Sequence, residues 1–98
     1  MNDKAQRTKT AQELAAYLGL SPAEGSEIEF RACLNDKIIQ IVESEEITHA
    51  EVAKLAHTSR TRVTAILNRN TQDVSSDLML RILSALGYIA KVRFQKAS

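Results

Sequence analysis

One stretch decides the fold: residues 47–68 read ITHAEVAKLAHTSRTRVTAILN. Thr48 and Glu51 have the spacing of a capping box, which predicts a short helix over about 48–56. A second helix is predicted over about 59–69. Because only a tight turn fits between them, the two helices must cross closely, as in a helix-turn-helix.

The side chains at the crossing agree with this geometry. Ala53 is small enough to allow close approach, and Val63 and Ile66 lie three residues apart to anchor the second helix from one side. The turn often needs a left-handed backbone, where glycine is the usual residue. His57 stands there instead, and histidine is among the non-glycine residues that tolerate this conformation.

The opposite face of the second helix presents donors and small groups without any acid. It carries Arg60, Thr61, Thr64, Ala65 and Asn68, with Arg62 to one side. Arginine can read guanine with two hydrogen bonds, and threonine or alanine methyls can contact a thymine methyl. Backbone amides at the two helix starts, beside Thr48 and Ser59, can bind phosphates. The alternative is an exposed helix made soluble by arginine and threonine.

Charge is distributed unevenly along the chain of 98 residues, although the formal net charge is only +1. Residues 52–72 contain four basic residues and no acid, whereas residues 21–46 contain seven acids and two bases. This polarity is typical of a DNA-facing surface on a nearly neutral domain. A merely solvated basic face would give the same pattern.

The rest of the chain predicts a mainly α-helical domain over residues 10–98 behind a flexible tail, residues 1–9. Apolar periodicity and capping residues predict further helices over about 10–18, 22–44 and 76–86, five helices in all. Residues 88–94 instead alternate, with Tyr88, Ala90, Val92 and Phe94 on one face of a predicted strand.

A lone strand needs a partner for its backbone groups. The expected partner of residues 88–94 is the same strand of a second copy, which would make these four residues a dimer interface. The alternative is a coil packed on the helices.

The whole pattern resembles the Cro/C1-type, or xenobiotic-response-element, family of helix-turn-helix regulators, and its short antitoxin-like branch. The resemblance rests on residues 47–68, on Leu18-Gly19-Leu20-Ser21-Pro22, on Arg31, on Ser75 and Asp77, and on Leu86-Gly87 before the strand. It implies a lambda-repressor-like domain of five helices that binds palindromic operators as a homodimer. A toxin protein as partner is a further implication.

The resemblance also implies roles for single residues. Bases would be read by Arg60, Thr61, Thr64 and Ala65, and phosphates would be bound by Thr48, His49, Arg62, Asn68 and Arg69. Three positions depart from the family pattern: His49 stands where glutamine is usual, and His57 and Asn70 stand where glycine is usual. Asparagine accepts a left-handed backbone well, so Asn70 is expected to end its helix.

Other classes of function find little support in the sequence. The two histidines and Cys33 lack a recognisable zinc-ligand spacing, and no glycine-rich phosphate loop exists, so we expect no enzyme, metal or cofactor. No apolar run is long enough for a membrane span, and the single cysteine, expected to be an inert and partly buried thiol, indicates a cytoplasmic protein. The rival hypothesis is a protein-binding module, an acidic antitoxin whose main role is to neutralise a basic toxin.

Overall fold

The structure, a computed structural model, describes residues 17–96 of the chain. Four helices lie within these residues. They are α1 (Pro22–Ser44), α2 (His49–Ala56), α3 (Arg60–Leu67) and α4 (Ser76–Ala85). The predicted tail and most of the predicted first helix, residues 10–16, lie outside this range. None of the helices within 17–96 combines the length and apolarity needed to cross a bilayer.

Each helix begins at a hydroxyl side chain that accepts a hydrogen bond from the amide three residues later. For α1 the arrangement is reciprocal: the Ser21 hydroxyl accepts from the Glu24 amide at 3.1 Å, and the Glu24 carboxylate accepts from the Ser21 amide at 2.9 Å. The hydrogen bond from the Ser21 amide to the carboxylate, with a smaller contribution from the Ser21 hydroxyl, lowers the pKa of Glu24. Thr48, Ser59 and Ser75 cap the other three helices in the same sense. Local sequence therefore determines where every described helix starts.

Each helix is also followed, within two positions of its last residue, by a residue with a left-handed backbone. These residues are Glu46, His57, Arg69 and Gly87, with φ of 52°, 53°, 60° and 91°. In every case the next residue's amide donates to a carbonyl five residues earlier, as in the Schellman motif. The prediction for His57 is confirmed. The prediction for Asn70 is wrong by one position: Arg69 adopts the left-handed conformation, and α3 accordingly ends at Leu67.

The chain divides into two units with a boundary between Cys33 and Leu34. In the described part of the first unit, Ile28 is 46% exposed and Cys33 is exposed, contrary to the expectation of a partly buried thiol. The second unit contains a continuous apolar core. Its members are Leu34, Ile38, Ile41, Val42, Val52, Ala53, Ala56, Val63, Ile66, Val74, Leu78, Met79, Ile82 and Leu83.

The predicted strand over 88–94 is not present: residues 88–96 have no regular secondary structure. A single strand has no ladder to join when no neighbouring strand lies beside it. Tyr88 is bound by its own chain, because its hydroxyl donates to Glu45 Oε2 at 3.2 Å and Lys37 Nζ lies 5.3 Å from its ring centroid. Val92 and Phe94 are 61% and 90% exposed.

Candidate nucleic-acid interface

The candidate interface is built on the crossing of α2 and α3. Ala53 is buried on α2, and Val63 and Ile66, which are almost completely inaccessible to solvent, are the buried residues of α3. The two helices pack directly on each other, and α2 also packs on α4. The turn between them passes through His57 in its left-handed conformation. The predicted helix-turn-helix is confirmed, together with the inward orientation of these three apolar residues.

The ten residues predicted to contact DNA are all accessible at least in part. Thr48, Ser59, Arg60, Thr61, Arg62, Asn68 and Arg69 are exposed, and His49, Thr64 and Ala65 are half-buried. Thr61 lies opposite the buried side of α3, and Arg60 and Arg62 lie at its two flanks. The N-terminal half of α3 therefore presents two guanidinium groups and a hydroxyl to solvent on a firmly packed helix.

The two N-cap hydroxyls retain a donor for a further ligand. Thr48 Oγ1 accepts from the Glu51 amide at 3.1 Å, and Ser59 Oγ accepts from the Arg62 amide at 3.2 Å. Because a hydroxyl both donates and accepts, each of these oxygens still carries a proton that can be donated outward. The backbone amides at a helix start also favour anions, because they lie at the positive end of the helix dipole. Both positions therefore suit a phosphate group.

His49 and Thr64 are in contact across the motif. His49 Nδ1, on the first residue of α2, lies 2.9 Å from Thr64 Oγ1 in the middle of α3. Both side chains are half-buried. With the ring proton on Nε2, Nδ1 accepts the Thr64 hydroxyl proton, and Nε2–H is left as a donor. The structure thus brings together one residue predicted to bind phosphate and one predicted to read a base.

Arg69 lies at the other end of α3 and is already paired. Its Nη1 lies 2.6 Å from Asp36 Oδ1 on α1, and both side chains remain largely exposed. An exposed ion pair of this kind contributes little to stability, since water competes for both charges. The ion pair places the Asp36 carboxylate beside Arg69, which is one of the residues predicted to bind a phosphate.

Two residues that position the motif were not predicted from the sequence. Asn35 is buried on α1 and donates from Nδ2 to the Ile66 carbonyl at 2.8 Å, and Arg81 on α4 donates from Nε to the Ala56 carbonyl at 3.1 Å. Each bond fixes the carboxyl end of one motif helix to a neighbouring helix. A signal for Asn35 did exist: it is a polar residue on the apolar stripe of α1, three residues before Ile38.

Within residues 17–96, no cluster of histidine, cysteine, aspartate and glutamate side chains is arranged to bind a metal ion. The motif itself presents guanidinium groups, hydroxyls, an imidazole and backbone amides. These groups bind phosphates and base edges.

Comparison with known proteins agrees with this geometry. A family model described as a helix-turn-helix domain matches residues 14–95, which is most of the chain. No curated protein and no solved structure shows a significant match. The family model spans all four described helices and the segment that follows them. The chain therefore belongs to this helix-turn-helix domain family, and its fold is that of a DNA-binding regulator.

Proposed function

We propose that this protein is a sequence-specific transcriptional repressor of the Cro/C1 type that binds a palindromic operator in double-stranded DNA as a homodimer. The observation that supports the proposal best is the two-sided character of α3. Val63 and Ile66 are buried on one side, while Arg60 and Thr61 are exposed on the outer face, with exposed Arg62 at its flank. A helix with a rigid inner face and a cationic, hydroxyl-bearing outer face fits the major groove.

The proposed contacts fall into two classes. Bases are read by residues on the outer face of α3, namely Arg60, Thr61, Thr64 and Ala65. Phosphates are bound by residues at the helix starts and flanks, namely Thr48, His49, Ser59, Arg62, Asn68 and Arg69. Because phosphate contacts carry no direct sequence information, the two classes differ in how their loss affects selectivity.

Selection of bound duplexes from a random DNA pool, followed by gel shifts across salt concentrations, tests the proposal. Arg60→Ala should weaken binding to the selected duplex by about 1–3 kcal/mol and relax the preference at one base pair. Lys54→Ala is the matched control, because it removes one exposed cation from α2 outside the proposed contact set. The proposal fails if no duplex is enriched, or if both variants alter selectivity equally.

The proposed homodimer rests on residues 88–96. Val92 and Phe94 are strongly exposed, and the backbone of this segment has no ladder partner among the described residues. Pairing with the same segment of a second copy would bury these apolar side chains and satisfy the backbone groups. It would also give the two copies of α3 that a palindrome requires, about 34 Å apart. Because Tyr88 is bound within its own chain, the proposed contact surface consists of Ala90, Val92 and Phe94.

Sedimentation of two lysine variants tests the dimer. Phe94→Lys places a charge on the proposed apolar face and should give monomers. Gln95→Lys introduces the same charge change on the opposite face of an extended segment and should leave the dimer intact. Dimers of equal stability in both variants would contradict the proposed interface.

A second role, as an antitoxin that binds a basic toxin, is favoured by the acidic end of α1. Glu43, Glu45 and Glu46 are all exposed there, close in sequence to one another. Such a cluster attracts a cationic partner and increases its association rate. The test is to find whether a neighbouring gene encodes a small basic protein, and then whether the two proteins co-purify. The absence of such a gene would favour a plain regulator over an antitoxin.

A further inference from the structure

The contact between His49 and Thr64 limits how Thr64 can take part in reading a base. A threonine side chain branches at Cβ into a hydroxyl and a methyl group. In this structure the hydroxyl oxygen lies 2.9 Å from His49 Nδ1, so this branch of the side chain is directed toward α2 whichever of the two groups donates the proton. The only other branch of the side chain is the methyl group. Thr64 is half-buried, so part of the side chain remains accessible to a ligand.

We infer that His49 is a positioning residue which fixes the Thr64 hydroxyl against α2, so that Thr64 reads a thymine through its methyl group and not through a hydrogen bond. The inference rests on the proposed DNA-binding function and deepens it, since it names the group that this position recognises. The C5 methyl of thymine lies in the major groove and is absent from every other standard DNA base.

Without His49 the orientation of Thr64 would no longer be unique. In a helix, threonine is divided between two rotamers, because its hydroxyl can also bond to the carbonyl three or four residues earlier. For Thr64 that carbonyl belongs to Thr61 or Arg60. The bond from His49 selects between these states, so removing the imidazole should reduce selectivity for the thymine methyl even though the methyl itself is still present.

Substitution of deoxyuridine for thymidine in the selected duplex, one position at a time, measures this contact directly. Uracil lacks only the C5 methyl group. Burial of one methyl group changes an equilibrium by about three- to fivefold. We expect one thymine position at which the substitution weakens binding of the unmodified protein by that factor, as measured by gel shift.

Four variants test whether Thr64 is the residue that contacts the thymine at that position. Thr64→Ser keeps the hydroxyl and loses the methyl, and should abolish the preference for thymine over uracil. Thr64→Val has a methyl on both branches and should retain it. His49→Ala should reduce the preference to less than about twofold, because threonine then divides between two rotamers. The double variant His49→Ala/Thr64→Val should restore the preference, since valine does not need the imidazole to present a methyl.

The control is Thr71→Ser, which removes a methyl group from a threonine that follows α3, outside the proposed contact set, and should leave this thymine preference unchanged. Circular dichroism establishes that each variant is folded. A preference that survives in Thr64→Ser or in His49→Ala overturns the inference, as does a duplex with no position sensitive to the thymine methyl. If no duplex binds the unmodified protein, the proposed function itself fails, and that result is distinct from binding without methyl sensitivity.

Discussion

Asn35 Nδ2 donates a 2.8 Å hydrogen bond to the backbone carbonyl of Ile66, and this buried bond joins α1 to the carboxyl end of α3. The last carbonyls of a helix have no partner within the helix itself. A side chain from another element that satisfies one of them also fixes where the helix ends in space. Asn35 therefore links the stability of the domain to the position of the helix proposed to enter DNA.

Asn35→Ala should lower the free energy of unfolding by about 1–3 kcal/mol, the usual range for removing one partner of a buried hydrogen bond. Urea denaturation followed by circular dichroism measures this. Gln40→Ala is the control, because Gln40 is exposed on the same helix and its loss should change stability by less than about 0.5 kcal/mol. Equal midpoints for the two variants would show that the Asn35 bond contributes nothing.

The left-handed backbone of Glu46 makes a second prediction about stability. Its φ of 52° is unfavourable for any residue with a Cβ, at a cost of about 1–2 kcal/mol that glycine does not incur. Glycine also has more freedom in the unfolded chain, which offsets part of the gain. We expect Glu46→Gly to raise the free energy of unfolding by about 0.5–1 kcal/mol.

Glu43→Gly is the matched control for Glu46→Gly, since it makes the same chemical change three residues earlier, inside the last turn of α1. There the backbone is helical, and glycine should destabilise by up to about 1 kcal/mol. Denaturation midpoints that shift in the same direction for both variants would show that the left-handed conformation of Glu46 stores no strain.

The sequence was most informative where structure depends on neighbours along the chain. The capping residues Thr48 and Ser59 predicted the starts of α2 and α3 to within one residue, because the hydroxyl and the amide it caps are three positions apart. The three-residue spacing of Val63 and Ile66 correctly predicted the inner face of α3, because helical periodicity alone determines it. The outward placement of Arg60 and Thr61 followed from the same reasoning.

Contacts between residues that are far apart in the sequence could not be predicted from sequence patterns. Asn35 and Ile66 are 31 positions apart and Asp36 and Arg69 are 33 apart, so no local rule pairs them. The error at Asn70 has a local cause: the end of α3 is set by the amide of Asn70, which donates to Ala65, and this places Arg69 at the left-handed position. The strand over 88–94 depended on a partner that a single chain does not supply.

The hydrogen bond between Tyr88 and Glu45 should be visible in a titration. Tyr88 donates to the carboxylate, and the nearby negative charge also disfavours the phenolate, so the pKa of Tyr88 is raised above its ordinary value. Any stabilisation from this contact is present below the ordinary tyrosine pKa, near 10. It is lost as the pH rises through the higher pKa of the folded state.

Ultraviolet absorbance of tyrosinate measures this shift in a Tyr17→Phe background, which leaves Tyr88 as the only tyrosine. Adding Glu45→Gln should return the pKa of Tyr88 toward its ordinary value, because the charge is removed while an acceptor oxygen remains. Glu43→Gln removes the same charge two residues away and should have a smaller effect. A Tyr88 titration that is unchanged by Glu45→Gln would refute the hydrogen bond.

The ion pair between Asp36 and Arg69 should reduce DNA affinity. Arg69 is proposed to bind a phosphate, yet its guanidinium lies 2.6 Å from a carboxylate that repels the same phosphate. Asp36→Asn should therefore strengthen binding at low salt by about two- to fivefold, the effect of one charge at short range in a screened medium. Release of Arg69 to the phosphate should steepen the dependence of log K on log salt by about one unit. Arg69→Ala should make it shallower and weaken all duplex sequences alike.

Glu43→Gln is the control for Asp36→Asn, because it removes the same charge seven residues, or about 10.5 Å, further along α1. It should alter affinity only through net charge and leave the salt slope unchanged. Gel shifts at several salt concentrations separate these effects, since a direct phosphate contact changes the slope whereas a distant charge changes mainly the intercept. If both variants strengthen binding equally and with the same slope, Arg69 makes no phosphate contact and Asp36 acts only as one of many surface charges.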